Sequence, residues 1–345
     1  MRFLFLDDVY PAALDFAYRS IDRTAHSSVQ LKALHEFSHG TSSDHWDAAL
    51  RSRGHESLTV PMNSGPLLDA YSREYSCKPV TVLDALVKEL DPDVIVSQNV
   101  GRFCGENLRK RFGSHRKYIG FCSYAADMAS LSEFGMVMSS FHWMVEELGR
   151  MGCKATYLPL AFGKNVLDRV QQPESRDIAL SFVGGIGGGR IWMRGQQTLE
   201  RVAEEFPEFV WYGYQNGPVS PALQNAYCGP AWGPKYFETL MRSRITINRH
   251  GEVARSLANN MRLFEATGCS ACLLTEDAPN IEDFFSVGDE CYVYRSDDHL
   301  VDVIRELLDD PTSVDEVAKS GHERTLRDHC YENRVDAFLE AIECL

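Results

Sequence analysis

Residues 245–285 read ITINRHGEVARSLANNMRLFEATGCSACLLTEDAPNIEDFF, and this stretch decides the fold. Residues 245–248 form a short apolar run with β-branched members, the pattern of a buried strand. A polar loop follows, carrying His250, Glu252 and Arg255 and little that could fill a core. Asn259 or Asn260 can cap a helix that Gly268 then stops, and residues 271–275 read as the next buried strand. Arg262 and Glu265 are three apart and so share one helical face. In an open α/β sheet such a face lies beside the C-terminal strand ends, where ligands bind. A cation and a carboxylate there suit a phosphate and a ribose, so the segment reads as half of a nucleotide site.

Working outward, strands and helices alternate in both halves, which points to parallel sheets covered by helices. Strands are expected at 2–6, 94–97, 118–122, 136–139 and 156–160. A second set is expected at 178–183, 209–212, 245–248, 271–274 and 291–294. The region 25–64 reads as irregular apart from a helix near 44–53. A chain of 345 residues is long for one core. We expect two domains, 1–165 and 174–345, joined by a polar linker within 160–177, with the last helix able to pack back on the first domain. Two such halves make a cleft the default ligand site.

Composition narrows the function classes. The hydrophobic share is 44% and the charged share 24%, as in globular proteins. No apolar run reaches the roughly 18 residues of a membrane helix, and the N-terminus MRFLFLDD meets acid too soon for a signal peptide. Ten scattered Cys then read as reduced thiols in a cytoplasmic protein. Net charge is −14, and the acid lies in the second half, with 18 basic against 30 acidic side chains beyond residue 160. That balance argues against a nucleic-acid partner. A basic patch at 102–117 (Arg102, Arg109, Lys110, Arg111, Arg116, Lys117) reads as a solvated helix end, with a peripheral membrane contact or an anionic acceptor as the alternative.

The motif N-N-M-R-L-F-E-A-T-G-C at 259–269, followed by N-I-E-D-F-F at 280–285, resembles the C-terminal donor module of GT-B glycosyltransferases. The similarity is greatest to the CgeB-like (spore maturation protein-like) branch. It continues through the helix DDHLVDVIRELLDDP and the run GHERTLRDHCYENR, and covers residues 176–340. The resemblance implies two Rossmann-like domains facing across a cleft. It further implies a nucleotide-diphosphate sugar as co-substrate, and transfer of a hexosyl group to a hydroxyl of a glycan, lipid-linked saccharide or protein. By the same resemblance Glu265 accepts hydrogen bonds from the ribose hydroxyls, while Arg262 and Asn260 at the helix start hold the diphosphate. One departure stands out. Many retaining members carry a Glu eight residues before the helix Glu, where this chain has Leu257, so His250 or Glu252 would serve the sugar.

Other motifs complete the expected site. VGGIGGGR at 183–190 follows a strand and precedes a helix, and glycines there let backbone amides approach a phosphate. The spacing matches neither a dinucleotide fingerprint nor a P-loop. Gly184 and Gly185 are expected near the donor, and Arg190, or Arg194 one turn on, facing its diphosphate. CGPAWGP at 228–234 is a rigid turn in which Ala231 and Trp232 border a base. The pair Cys269/Cys272 lacks two further zinc ligands at suitable spacing. Asp91-Pro92-Asp93 is the sole D-x-D and sits at a helix-to-strand turn, so metal-independent chemistry is expected. An inverting enzyme would need a base from the first half, and Asp127 and His142 follow strand ends there. Two other readings stay open, a nucleotide-sugar epimerase or hydrolase on the same scaffold and a non-catalytic nucleotide-sugar binder.

Overall fold

A computed structural model describes the chain except residues 38–42 and 188–189, and except the side chains of residues 190–194. The chain divides into two compact units, one formed by Met1–Pro159 with Tyr331–Leu345 and the other by Leu160–Cys330.

Unit 1 holds six strands, β1 (Arg2–Asp7), β2 (Glu56–Pro61), β3 (Val94–Ser97), β4 (Lys117–Phe121), β5 (Met136–Ser139) and β6 (Ala155–Tyr157). They lie in the order β2-β1-β3-β4-β5-β6, each pair parallel. Strands buried on both faces need near-continuous apolar sequence, and every residue of β3 and β5 is buried. β2 and the helix Ser27–Phe37 fall where an irregular region was expected. In β2 the alternation of Ser57, Leu58, Thr59 and Val60 is blurred because three consecutive residues, Thr59–Pro61, are all buried. The last helix, Tyr331–Glu343, belongs to this unit. Its Phe338 packs on Trp46 at 4.7 Å between ring centroids and also meets Phe3 and Phe5.

Unit 2 holds β7 (Ile178–Val183), β8 (Ile186–Gly187), β9 (Phe209–Tyr212), β10 (Gln215–Asn216), β11 (Ser243–Asn248), β12 (Cys272–Glu276) and β13 (Tyr292–Tyr294). Five of them form a parallel sheet in the order β13-β12-β11-β7-β9, and β8 pairs with β10. The chain therefore leaves β7 for β9 on one side and returns to β11 on the other. The crevice between the C-terminal ends of β7 and β11 is the switch point where open α/β sheets bind ligands. Two cores cover the sheet, and β12 feeds both by alternation. Leu273 joins Phe162, Tyr236 and Phe264 on one side, while Cys272 and Leu274 join Leu199, Trp211 and Leu300 on the other.

The segment expected as a linker folds with unit 2. Phe162 bridges Cys330, and Asn165–Arg169 is a short helix whose Val166 enters the core. The helix after β11 also differs from expectation. It spans Arg262–Gly268, two residues later than the Asn pair suggested, with Met261 at the capping position. Asn260 still serves it, since its Oδ1 accepts from the Leu263 amide at 3.3 Å. Gly268 is the last helical residue, and the left-handed turn falls at Ser270 with φ 61°. Gly268 is required for another reason. A Cβ there would lie 2.6 Å from the ring of Phe162, which is 1% exposed.

Gly268→Ala is therefore expected to destabilise the protein, although alanine favours helices. Overpacking a rigid core costs about 1–3 kcal/mol and outweighs the roughly 1 kcal/mol propensity gain. Gly149 lies in the helix His142–Arg150, and a Cβ there meets nothing within 4 Å. Gly149→Ala should raise stability by about 0.5–1 kcal/mol. Thermal unfolding of the two variants checks the contrast, and equal melting shifts would refute it.

Candidate functional site

The C-terminal ends of β7 and β11 carry most of the expected donor residues. Asn248 ends β11, and Arg249 and His250 follow it. The side-chain amide of Asn260 donates to Asn248 Oδ1 at 2.9 Å and to the Arg249 carbonyl at 2.6 Å. Because its Oδ1 also takes the Leu263 amide, Asn260 ties the strand end to the start of the Arg262 helix. A diphosphate contact by Asn260 was expected, but every polar group of its amide is engaged within the protein. Its role is to hold the two elements together.

Glu265 is 3% exposed, and the hydroxyl of Tyr236 donates to its Oε2. Its Oε1 is buried with no partner among the described residues. The Arg262 guanidinium lies over the Tyr236 ring at 4.5 Å from its centroid, and its Nη1 is likewise buried without a partner. Tyr236 comes from the helix Pro234–Arg242, whose start is set by Pro234 after Gly233 with φ 60°. Burial pushes the Tyr236 phenol well above its ordinary value and the Glu265 charge adds to this, against the opposing pull of Arg262. The phenol therefore stays protonated and donates.

His250 shows a similar pattern. Its Nε2–H donates to the Glu276 carbonyl at 2.8 Å, with Thr275 Oγ1 at 3.3 Å. That bond fixes the tautomer and leaves Nδ1 as a buried acceptor without a partner among the described residues. Burial pulls its pKa below the ordinary imidazole value, and the Glu276 carbonyl only partly offsets this. Glu252, its expected alternate, is exposed at the start of a 3₁₀ turn.

Arg249 was not anticipated from sequence. Its Nη1 packs so closely on Gly195 that a Cβ there would stand 1.9 Å away, and its Nε is buried without a partner among the described residues. The signal was a cation directly following a buried strand, which the reading passed over for Arg190. Arg190 opens the helix Arg190–Glu205, but its side chain and that of Arg194 lie outside the described residues, as do Gly188 and Gly189.

The glycines after β7 meet aromatic residues of the same unit. The Gly184 amide donates to the Tyr212 carbonyl at 2.8 Å, and its carbonyl accepts from Trp211 Nε1 at 2.8 Å. That amide is thus unavailable to a phosphate. At Gly185 a Cβ would fall 2.3 Å from the Tyr214 ring. Tyr214 stacks on Trp232 with ring planes 7° apart and centroids at 6.0 Å. Ala231 and Trp232 are buried, at 5% and 8%, whereas Tyr214 is 41% exposed. The accessible aromatic surface therefore belongs to Tyr214, a residue with no sequence signal of its own.

In unit 1, Asp127 caps the helix Met128–Ser132 by accepting from the Ser130 amide at 3.0 Å and hydroxyl at 2.9 Å. The Ser130 amide bond, followed by the hydroxyl bond, holds its carboxyl below the usual range. This geometry makes Asp127 a helix cap and a weak proton acceptor. His142 is the first residue of its helix, exposed and stacked on Tyr157 at 3.6 Å. All six cations of the basic patch have partners within the unit. Arg102 pairs with Asp8, Lys110 with Glu106, Arg111 with Asp84 and Arg116 with Asp91, while Arg109 and Lys117 donate to the carbonyls of Glu133 and Ile342. Among the described residues no three His, Cys, Asp or Glu side chains converge as a metal site, and no helix is long and apolar enough to cross a membrane.

The depressed pKa of His250 has a consequence for stability. A group whose folded pKa lies below its unfolded value of about 6.5 stabilises the fold fully above that value. The contribution is lost as pH falls from there through the folded pKa, because the unfolded chain takes the proton first. Urea unfolding between pH 7.5 and pH 5 should show a loss in the native protein that His250→Asn lacks. The same pH dependence in both would contradict a buried neutral imidazole.

Known proteins share this organisation. Residues 193–340 match the family model described as glycosyl transferase-like. HepE from Anabaena, solved in complex with UDP, superposes with a TM-score of 0.63 at 11% identity and is covered, like this chain, over 100% of its length. Sucrose-phosphate synthase from Thermosynechococcus elongatus gives 0.60 at 12% identity, over 99% of this chain and 98% of that one. A putative UDP-N-acetylglucosamine 2-epimerase from Listeria monocytogenes gives 0.55 at 11%, over 99% and 95%. No curated protein matches the sequence. The fold is thus that of the GT-B glycosyltransferases, with residues 193–340 matching the glycosyl transferase-like family.

Proposed function

We propose that this chain is a glycosyltransferase of the CgeB-like branch that moves a hexosyl group from a nucleotide-diphosphate sugar to an acceptor hydroxyl. The acceptor is a glycan, a lipid-linked saccharide or a protein. The ten free thiols suit the reducing cytoplasm. One observation carries the reading. Four buried polar atoms that have no partner among the described residues, Arg249 Nε, His250 Nδ1, Arg262 Nη1 and Glu265 Oε1, belong to the segment that begins at the end of β11. Buried polar groups are normally satisfied, and an unpaired buried charge is costly, so such a group is a binding surface awaiting its ligand. Two guanidinium donors suit a diphosphate, a carboxylate oxygen suits ribose hydroxyls, and a bare imidazole nitrogen suits a sugar hydroxyl.

In this reading Glu265 Oε1 accepts from the ribose, and Arg262 and Arg249 face the diphosphate. As the bond from the sugar anomeric carbon to the leaving oxygen breaks, negative charge grows on the diphosphate. Fixed cationic donors in a dry site stabilise that charge without reorganising. His250 Nδ1 takes a hydrogen bond from the sugar, in the place that Leu257 leaves vacant of a carboxylate. Tyr214, stacked on Trp232, offers the surface for the base. Support for a uridine donor comes from the HepE complex with UDP.

Calorimetric titration with UDP and UDP-hexoses, followed by product analysis with and without a hydroxyl acceptor, tests the proposal. Transfer to the acceptor supports it. Release or epimerisation of the sugar from donor alone would favour the epimerase or hydrolase, and binding without turnover the passive binder.

Arg262→Lys keeps the charge but loses the planar fork that can hold two phosphate oxygens. Turnover at saturating donor should fall at least about tenfold, roughly 1.4 kcal/mol, while donor affinity changes less. An undiminished kcat would remove Arg262 from the leaving-group site. We further propose that no metal ion takes part, because the guanidinium groups supply the needed charge. Turnover should persist in excess EDTA, and its loss with recovery on adding Mn²⁺ or Mg²⁺ would refute this.

A further inference from the structure

Glu265 is a carboxylate set among apolar neighbours. Leu263, Phe264, Ala266 and Cys269 around it are all buried. An ionised carboxylate in such surroundings needs strong hydrogen bonds, and a flat two-oxygen group on a flexible stem can present either edge. Among the described residues its bonded partner is Tyr236, whose hydroxyl donates to Oε2. The Tyr236 ring is itself fixed. It is 4% exposed, packs edge-on against Phe237 at 5.0 Å and carries the Arg262 guanidinium at 4.5 Å.

We propose that Tyr236 is a positioning residue that locks Glu265 with Oε1 turned to the ligand, and so makes the site selective for ribonucleotides over deoxyribonucleotides. The inference rests on the donor-binding reading given above. The logic is geometric. With Oε2 held by a rigid phenol, the remaining oxygen has one direction in which to accept, and it is the oxygen that has no partner among the described residues. Without that hold the carboxylate can rotate, lowering the fraction of protein ready to receive a ribose hydroxyl. Affinity then falls in proportion to that fraction. Tyr236 precedes Glu265 by 29 residues and sits two residues beyond the CGPAWGP turn. It therefore couples the turn expected at the base to the carboxylate expected at the ribose.

A thermodynamic cycle on the full chain tests this, with UDP, 2′-deoxy-UDP and 3′-deoxy-UDP as probes read by calorimetry. The native protein should bind UDP about tenfold more tightly than at least one deoxy analogue. Tyr236→Phe keeps the ring under Arg262 and removes only the hydroxyl. It should weaken UDP by about tenfold and bind that analogue no more weakly than the native protein does, so that the two losses do not add. Glu265→Asp withdraws the carboxylate from Tyr236 while keeping its charge. It should give the same pattern by a route that does not depend on folding of the Tyr236 variant. Fully additive losses, or undiminished UDP selectivity in Tyr236→Phe, would overturn the positioning role while leaving donor binding standing, whereas undiminished selectivity in Glu265→Asp would remove Glu265 from the ribose as well. A native protein that binds none of the three probes would overturn both.

Discussion

The amide of Asn260 is the joint on which the arrangement at the end of β11 depends. It bonds at once to the end of β11, through Asn248 and the Arg249 carbonyl, and to the helix that carries Arg262 and Glu265. Parallel strands deliver all their C-terminal ends to one edge of the sheet, but they do not fix the helices that start there. Each connecting loop could otherwise let its helix slide by a fraction of a turn. One side chain satisfying three backbone or amide groups removes that freedom and sets Arg262 and Glu265 against the strand end. The crossing of β7 to β9 and back to β11 then opens the crevice beside it.

Around that joint the chemistry is defined by groups left incomplete. Among the described residues Glu265 has one oxygen bonded and one bare, His250 has one nitrogen bonded and one bare, and Arg262 stacks on Tyr236 with its Nη1 unbonded. In each case the bonded half orients the free half. The protein thereby bears the cost of desolvating these groups before any ligand arrives, as preorganised electrostatic sites do. Tyr236 belongs to this logic although it faces no ligand, since it holds a carboxylate and supports a cation with a single ring.

The legible parts of the sequence were those with a strong local signal. The strands ending at Val183 and Asn248, the pairing of Arg262 with Glu265 on one face, and the alternation of strand and helix follow from period and composition. β2 escaped because Ser57 and Thr59, which read as surface residues, are buried through hydroxyl bonds to Asp47, and the stretch before the strand is polar. Gly268 was read as a helix stop, yet the ring of Phe162, over a hundred residues away, is what excludes a side chain there. Likewise Tyr212 and Tyr214 approach the glycines after β7 from more than twenty-five residues away.

By itself the sequence determined the α/β class and placed Arg262 and Glu265 on one short helix after a buried strand, because these rest on contacts between residues a few positions apart. Only the tertiary structure decided which polar groups find a partner in the protein and which stay buried without one among the described residues. Tyr236 reaches Glu265, Asn260 reaches Asn248 and Gly195 admits Arg249 across separations that no local pattern encodes. A hydrogen bond depends on two side chains meeting within about 3 Å. That meeting is fixed by how helices pack on the sheet.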